Sequence, residues 1–165
     1  MRKFTALYFV FLAVITLSLI GNVKSTSQKM DKVTLYFADR QMMRLVPSDY
    51  YINAADTETE INAVIDELLR GRDYIQSIRR LLPTSKDAIS AHFSGETAYI
   101  DINCEYMSFY ESGRDLEELI VYQLVNSVSS VKGVSRVKFL FDGEVRKDFL
   151  YRIDMREAFV PDYYV

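Results

Sequence analysis

A single histidine, His92, and a single cysteine, Cys104, are the side chains of this sequence best suited to proton transfer or nucleophilic attack. His92 sits in a run alternating with Ala91 and Phe93, where Ser90 or Asp101 across a hairpin could hold its imidazole as a proton acceptor. A dyad with Cys104 across a sheet would still need a third, orienting group and a lowered thiol pKa, for which nothing local speaks. The structural reading of both is simpler: a satisfied or exposed strand histidine, and an inert thiol at the end of an apolar strand. Asp101 and Glu105 could supply the carboxylate pair that glycan cleavage uses, but at strand rise they stand roughly 13 Å apart, beyond the usual catalytic separation. Asp142-Gly143-Glu144 and Asp39 are rich in oxygen, yet calcium needs six or more ligands and no run has the Asp/Asn spacing of a calcium loop. One Cys and one His exclude a zinc cage of those ligands. No G-x-S-x-G, P-loop or dinucleotide fingerprint is present, and Ser94-Gly95-Glu96 and Asp142-Gly143-Glu144 read as turns. No catalytic, cofactor or metal residue is assigned, and the sequence points away from an enzyme.

Recognition chemistry is better represented. Twelve Tyr without Trp could form a recognition face or a carbohydrate platform, since Tyr offers flat apolar area with a polar rim; in a small sandwich most of them pack half-buried. A formal net charge of −3 gives no electrostatic case for nucleic acid. The 165 residues, 49% apolar, suffice for one modest core.

The amino-terminal residues stand outside that core. Arg2 and Lys3 precede an uncharged stretch from Phe4 to Gly21, the n-region and h-region of an export signal. Residues 1–24 are therefore expected to be a signal peptide or membrane anchor, with Val23-Lys24-Ser25 a tolerable cleavage site. Leu19-Ile20-Gly21-Asn22 resembles a lipoprotein box in which Asn22 stands where the lipid-bearing Cys would be. The resulting expectation is an extracytoplasmic chain, membrane-anchored or secreted but not a lipoprotein. Residues 25–31 read as a polar linker, 32–159 as the domain and 160–165 as a fraying tail.

Within the domain, Val33, Leu35 and Phe37 alternate on one face of a strand, and Met42 to Val46 return as a short second strand stopped by Pro47. Thr57 and Glu60 form a capping box for a helix whose stripe is Ile61, Val64, Ile65, Leu68 and Leu69, with Glu60, Asn62, Asp66 and Glu67 on the solvated side and Gly71 at its end. Asp73 to Leu82 predicts a further short helix or irregular turn. Ala88 to Phe93 and Thr97 to Ile102 read as a hairpin. A longer helix starts at Ser112-Gly113-Arg114-Asp115 and ends at Gly133, with Leu116, Leu119, Ile120, Leu124, Val128 and Val131 at core spacing. Gln123 and Ser127 fall on the same buried stripe and require hydrogen bonds, most simply to backbone. Val134 to Phe141 is a strand, and Phe149, Tyr151 and Ile153 add an edge strand. This order gives an α+β two-layer sandwich, a small mixed sheet with both main helices on one face. The uncovered face is left to Thr34, Tyr36, Tyr99, Asp101, Arg136 and Lys138.

VTLYFADRQMMRLVP, INAVIDELLRG, LLPTSKDAIS, TAYIDINCEY and LEELIVYQLVNSVSSVKGVSRVKFLFDGE, taken in that order, resemble the GerMN domain, the "sporulation and spore germination" domain of bacterial envelope proteins. The likeness runs from about Lys32 to Phe159, and each piece is a core stripe, a cap or a turn, none a catalytic signature. It implies a ring-building-motif-like α+β fold working by protein–protein contact in envelope assembly. The function expected on that basis is a non-enzymatic extracytoplasmic scaffolding element of the cell or spore envelope. Its partners would be envelope proteins or copies of itself, with the membrane reached through an uncleaved leader. The interaction surface is expected at Tyr36, Tyr99, Arg136 and Lys138, with a helix of one copy docking on the sheet face or edge strand of the next. The alternative is a small-ligand or cell-wall glycan-binding module using the same tyrosines.

Overall fold

The computed structural model describes residues 30–71, 78–106, 116–148 and 153–165. Strand β1 (Asp31–Asp39) buries Val33, Leu35 and Phe37 as its alternation predicts. It pairs antiparallel along its length with β2 (Leu45–Ile52). The expected second strand is thus displaced: it begins at Leu45 and runs through Pro47. Pro47 lies opposite Tyr36, whose N–H points to the other side of β1, toward Ser127, so no ladder bond is asked of the proline and an outer strand accommodates it.

Helix α1 (Thr57–Arg70) buries the whole predicted stripe. Its cap is one residue earlier than the sequence suggests, because Asp56 Oδ1 accepts the Thr59 N–H at 2.8 Å. Gly71, at φ 66°, closes the helix with its N–H on the Glu67 and Leu68 carbonyls, and the Arg80 guanidinium donates to the Arg70 carbonyl. The side assigned to solvent is only partly so. Glu60 is buried, Glu67 accepts the Tyr50 hydroxyl at 2.7 Å, and Asn62 reaches a neighbouring strand.

Of the expected helix at Asp73 to Leu82, residues 72–77 lie outside the described residues. Beyond them the chain forms a two-residue strand, β3 (Ile78–Arg79), and then sends Leu81 and Leu82 into the core. β3 meets β1 only at Ala38 and Asp39, giving a sheet of order β2-β1-β3. β4 (Ile89–Ser94) and β5 (Thr97–Ile102) form the expected hairpin, in register from Ile89↔Ile102 to Ser94↔Thr97. Helix α2 (Glu117–Val128) crosses to β6 (Arg136–Phe141), which lies parallel to β5. Its expected start at Ser112 to Asp115 falls outside the described residues, as do Phe149 and Tyr151. It ends at Val128, before Gly133, with the Ser129 N–H on the Val125 carbonyl.

The α+β architecture is therefore present, with its strands divided between an antiparallel sheet and a mixed one, β4-β5-β6. Both helices and the inner faces of both sheets share one core. Helix α2 is buried on nearly every side, which is why its apolar positions exceed a single stripe and include Val121 and Val125.

The segment after Phe159 does not fray. Phe159 and Val137 exchange backbone bonds of 2.7 and 2.8 Å, and the Leu45 N–H donates to the Val165 carbonyl at 3.1 Å. Fully buried Asn126 donates to the Asp162 carbonyl at 2.6 Å and accepts the Asp162 N–H at 2.9 Å. A terminal stretch tied by its own backbone in this way is ordered despite its position.

Candidate interaction surface

Strand edges are the ready-made docking sites of a sheet, so their state decides what the surface can do. Two of them are closed from within by helix side chains and the turn beyond α2. Where β3 leaves β1 uncovered, Thr34 N–H donates to Ser130 Oγ at 3.0 Å and Tyr36 N–H to Ser127 Oγ at 2.9 Å. The outer edge of β4 is served by α1: Asn62 accepts the Ala91 N–H at 3.0 Å and donates to its carbonyl at 2.9 Å, while Glu58 accepts the Phe93 N–H at 2.8 Å. Ser127 on the buried stripe thus bonds to backbone as its position requires. Gln123 Oε1, one helical turn earlier, is buried with no hydrogen-bond partner among the described residues.

The residues best suited to chemistry are dispersed. His92 pairs neither with Ser90 nor with Asp101; its Nδ1 lies 2.8 Å from Glu58 Oε2, on the side where α1 covers β4. Cys104 follows the far end of β5, about five residue steps from His92 along the sheet, or roughly 16 Å, so no dyad forms. Burial, and then the Asp142 carboxylate, push the Cys104 thiol pKa up, opposite to what a nucleophile requires. Asp101 Oδ1 accepts the Gly143 N–H at 3.0 Å and Asp142 Oδ1 accepts the Cys104 N–H at 2.9 Å, so both carboxylates brace the turn after β6. Among the described residues no group of three or more His, Cys, Asp or Glu side chains is placed to hold a metal ion.

Of the four residues expected to form a surface, three come together. Tyr99 and Lys138 are paired in register, and Arg136 lies opposite Thr97, all on the outer face of the mixed sheet. Lys138 is tied down there, its Nζ donating to the Arg156 carbonyl. Beside them Ser90, His92, Tyr99, Asp101 and Leu140 line an open groove of about 420 Å³, with the His92 and Tyr99 rings 6.3 Å apart. Tyr36 belongs to the other sheet. Its ring stacks on Tyr163 at 5.6 Å, and its burial raises its hydroxyl pKa.

A second surface escaped the sequence reading. Met42 and Met43 lie in the β1–β2 turn, not in a strand, and Met43 is 78% exposed. The turn is locked: Asp39 Oδ1 accepts the Met43 N–H at 2.9 Å, its carbonyl accepts the Met42 N–H at 3.0 Å, and Met42 is held at φ 56°. Such a left-handed conformation is costly for a residue other than glycine and is kept where surrounding bonds enforce it. Met42, Met43, Leu119, Val165 and the fully exposed Tyr164 line a groove of about 660 Å³ together with Glu118 and Asp162, so that its wall is polar and apolar in similar measure. The available signal was two consecutive apolar residues directly after a turn, with no polar partner to alternate with.

Comparison with known proteins agrees with this geometry. A family model described as "Sporulation and spore germination" matches residues 34–147. No curated protein matches the chain. Among solved structures, a "Putative Lipoprotein" from Clostridium perfringens is 14% identical with a TM-score of 0.55, over 84% of this chain and 93% of that one. The first GerMN domain of the sporulation protein GerM from Bacillus subtilis is 14% identical, TM-score 0.56, over 82% of this chain and 99% of that one. The tandem GerMN domains of the same protein are 13% identical, TM-score 0.57, over 86% of this chain and 49% of theirs, so this chain spans about half of the tandem. At these identities the likeness is one of fold. The expected localisation is corrected at its last part, not a lipoprotein: a similar fold is carried by a chain described as a "Putative Lipoprotein". Among the described residues no helix is long and apolar enough to cross a membrane, and the expected signal or anchor, residues 1–24, lies outside them. The exclusion rested on Asn22 alone, which lies outside the described residues.

Proposed function

The chain belongs to the sporulation and spore germination domain family, and from that premise we propose that it is a non-enzymatic assembly element of the bacterial cell or spore envelope that acts by docking on copies of itself or on envelope proteins. The observation that carries this reading is the groove at Met42, Met43 and Tyr164, where exposed apolar side chains lie beside the carboxylates of Glu118 and Asp162. Contiguous exposed apolar surface marks protein contact, and adaptable Met beside amphipathic Tyr is the composition such contacts favour. The family is not one known for enzymes, and the dispersal of His92, Cys104 and the carboxylates supports a non-catalytic role. Since α1, α2 and Ser130 already occupy the open edges of β4 and β1, docking of a helix on those two edges is disfavoured, which leaves the groove and the outer face of the mixed sheet at Tyr99, Arg136 and Lys138 as the surfaces for contact. GerM carries GerMN domains in tandem, so units of this fold do occur together in one chain.

The test is analytical ultracentrifugation of the purified chain over rising concentration, with Met43→Glu as the comparison. Self-association that Met43→Glu weakens tenfold or more supports the reading. A chain monomeric at millimolar concentration that captures no envelope protein refutes it. The open groove beside Tyr99 favours one second reading, a cell-wall glycan module, because a flat tyrosine flanked by Ser90 and Asp101 offers stacking with hydrogen-bonding groups at its rim. Saturable binding of peptidoglycan fragments, lost in Tyr99→Ala by a chain that does not self-associate, would favour it.

A further inference from the structure

The manner in which Phe159–Val165 is held goes beyond ordering a tail. Asn126, fully buried on α2, uses both atoms of its amide on the backbone of a single residue, Asp162, and so reads an extended peptide irrespective of its side chain there. Val137 on β6 adds a two-bond bridge to Phe159, and Leu45 adds a bond to the Val165 carbonyl. Two aromatic seats supply the rest: Phe159 packs edge-on against Phe139 at 5.5 Å, and Tyr163 stacks on Tyr36. This is a peptide-binding cradle built from β1, β2, α2 and β6, with a segment of the same chain lying in it. None of its bonds depends on which copy supplies that segment.

The lead into the segment is short: Lys138 holds the Arg156 carbonyl, and only Glu157 and Ala158 separate Arg156 from Phe159. Met155 is fully buried and its N–H donates to the Lys147 carbonyl, so it belongs to the body of the domain. Glu157 and Ala158 are exposed, and Phe159 enters the cradle directly after them. We propose that this cradle is a docking site for a second copy of the chain, taking that copy's Phe159–Val165 in exchange for its own. This rests on the assembly reading and specifies its mechanism. A connector of four residue steps reaches at most about 14 Å, so the exchanging domains must lie in direct contact. Reciprocal exchange closes a two-fold dimer, and one-way exchange runs on as a filament. A short connector also gives the segment an effective concentration in cis on the order of millimolar, so trans capture requires crowded copies or a weakened cis tail.

The experiment removes the cis competitor. The full chain carrying Phe159→Ala and Asp162→Pro is titrated with a labelled synthetic peptide of residues 156–165, and binding is read by fluorescence anisotropy. Saturable one-to-one binding is expected, at least tenfold weaker for a peptide with Asp162→Pro, because proline has no N–H to donate to Asn126. A folded variant that binds neither peptide, or both equally, overturns the proposal. Should the variant fail to fold, the unaltered chain is refolded from denaturant at millimolar concentration. A dimer that survives dilution and is absent for Asp162→Pro alone supports exchange, and monomer only overturns it. Self-association indifferent to Asp162→Pro sinks the exchange while leaving the assembly reading intact, as does an unaltered chain that stays monomeric but captures an envelope protein; a chain that does neither sinks both, whatever the peptide binds.

Discussion

Replacing Ser127 by alanine tests how a strand edge is held, because two effects of opposite sign meet at one atom. Alanine is the better helix former by about 0.5 kcal/mol, so on propensity alone the variant is stabilised. Ser127 Oγ, however, accepts the Tyr36 N–H at 2.9 Å from a fully buried position. Without it the amide faces an apolar helix, at a cost of about 1–3 kcal/mol. Tyr36 is only half-buried, so water recovers part of that loss, and the net expectation is destabilisation by about 1–2 kcal/mol. For a domain of this size that is a fall in Tm of roughly 3–8 °C. Urea unfolding measures the free energy, and amide exchange locates it. Tyr36 should lose protection while Thr34, bonded to Ser130, serves as the internal reference. A variant as stable as the parent, or an unchanged Tyr36 amide, would refute the claim that α2 closes this edge.

Gly71→Ala should cost about 1–3 kcal/mol by urea unfolding, since alanine is strained at φ 66° and its Cβ would stand 2.9 Å from the Arg80 guanidinium that caps α1. The Thr59 N–H holds the Asp56 carboxyl below the usual carboxylate range, so the stabilisation it gives is complete above about pH 4 and is lost as pH falls through its lowered folded pKa. Asp56→Asn keeps the cap but not the titration, and the difference from the parent should shrink between about pH 6 and pH 2 in urea titrations. Cys104, its thiol pKa raised by burial and by Asp142, should react with iodoacetamide at about pH 8 at least several-fold more slowly than a free thiol, with the rate climbing at higher pH.

Periodicity carried much of the architecture. The α1 stripe, the β4–β5 hairpin and the inward residues of β1 and β6 come from which positions must be apolar, and each was readable from spacing alone. Spacing does not carry the identity of the neighbour. Asn62 looks like an ordinary solvated helix residue until β4 is known to end beside it, and Asn126 looks like an irregularity in an apolar run until Asp162 arrives from 36 residues away. Both lie on helix faces that meet a backbone, where a polar side chain is required by an edge the sequence does not reveal. The Met42–Met43 site was hidden for a different reason. A turn ending in two apolar residues has the same composition as a short strand, and only the Asp39 bonds decide between them. Pro47 misled in the same region, since a proline stops an inner strand but not an outer one.

The bonds that β1 receives from Ser127 and Ser130 join residues 91 and 96 positions apart. During synthesis, β1 and β2 leave the ribosome long before the serines that will satisfy their exposed amides, and the Leu45 partner Val165 comes later still. Pairings of that range make for slow folding. Until α2 has been made, the nascent hairpin therefore presents edge amides without their partners, a surface that a chaperone would have to guard.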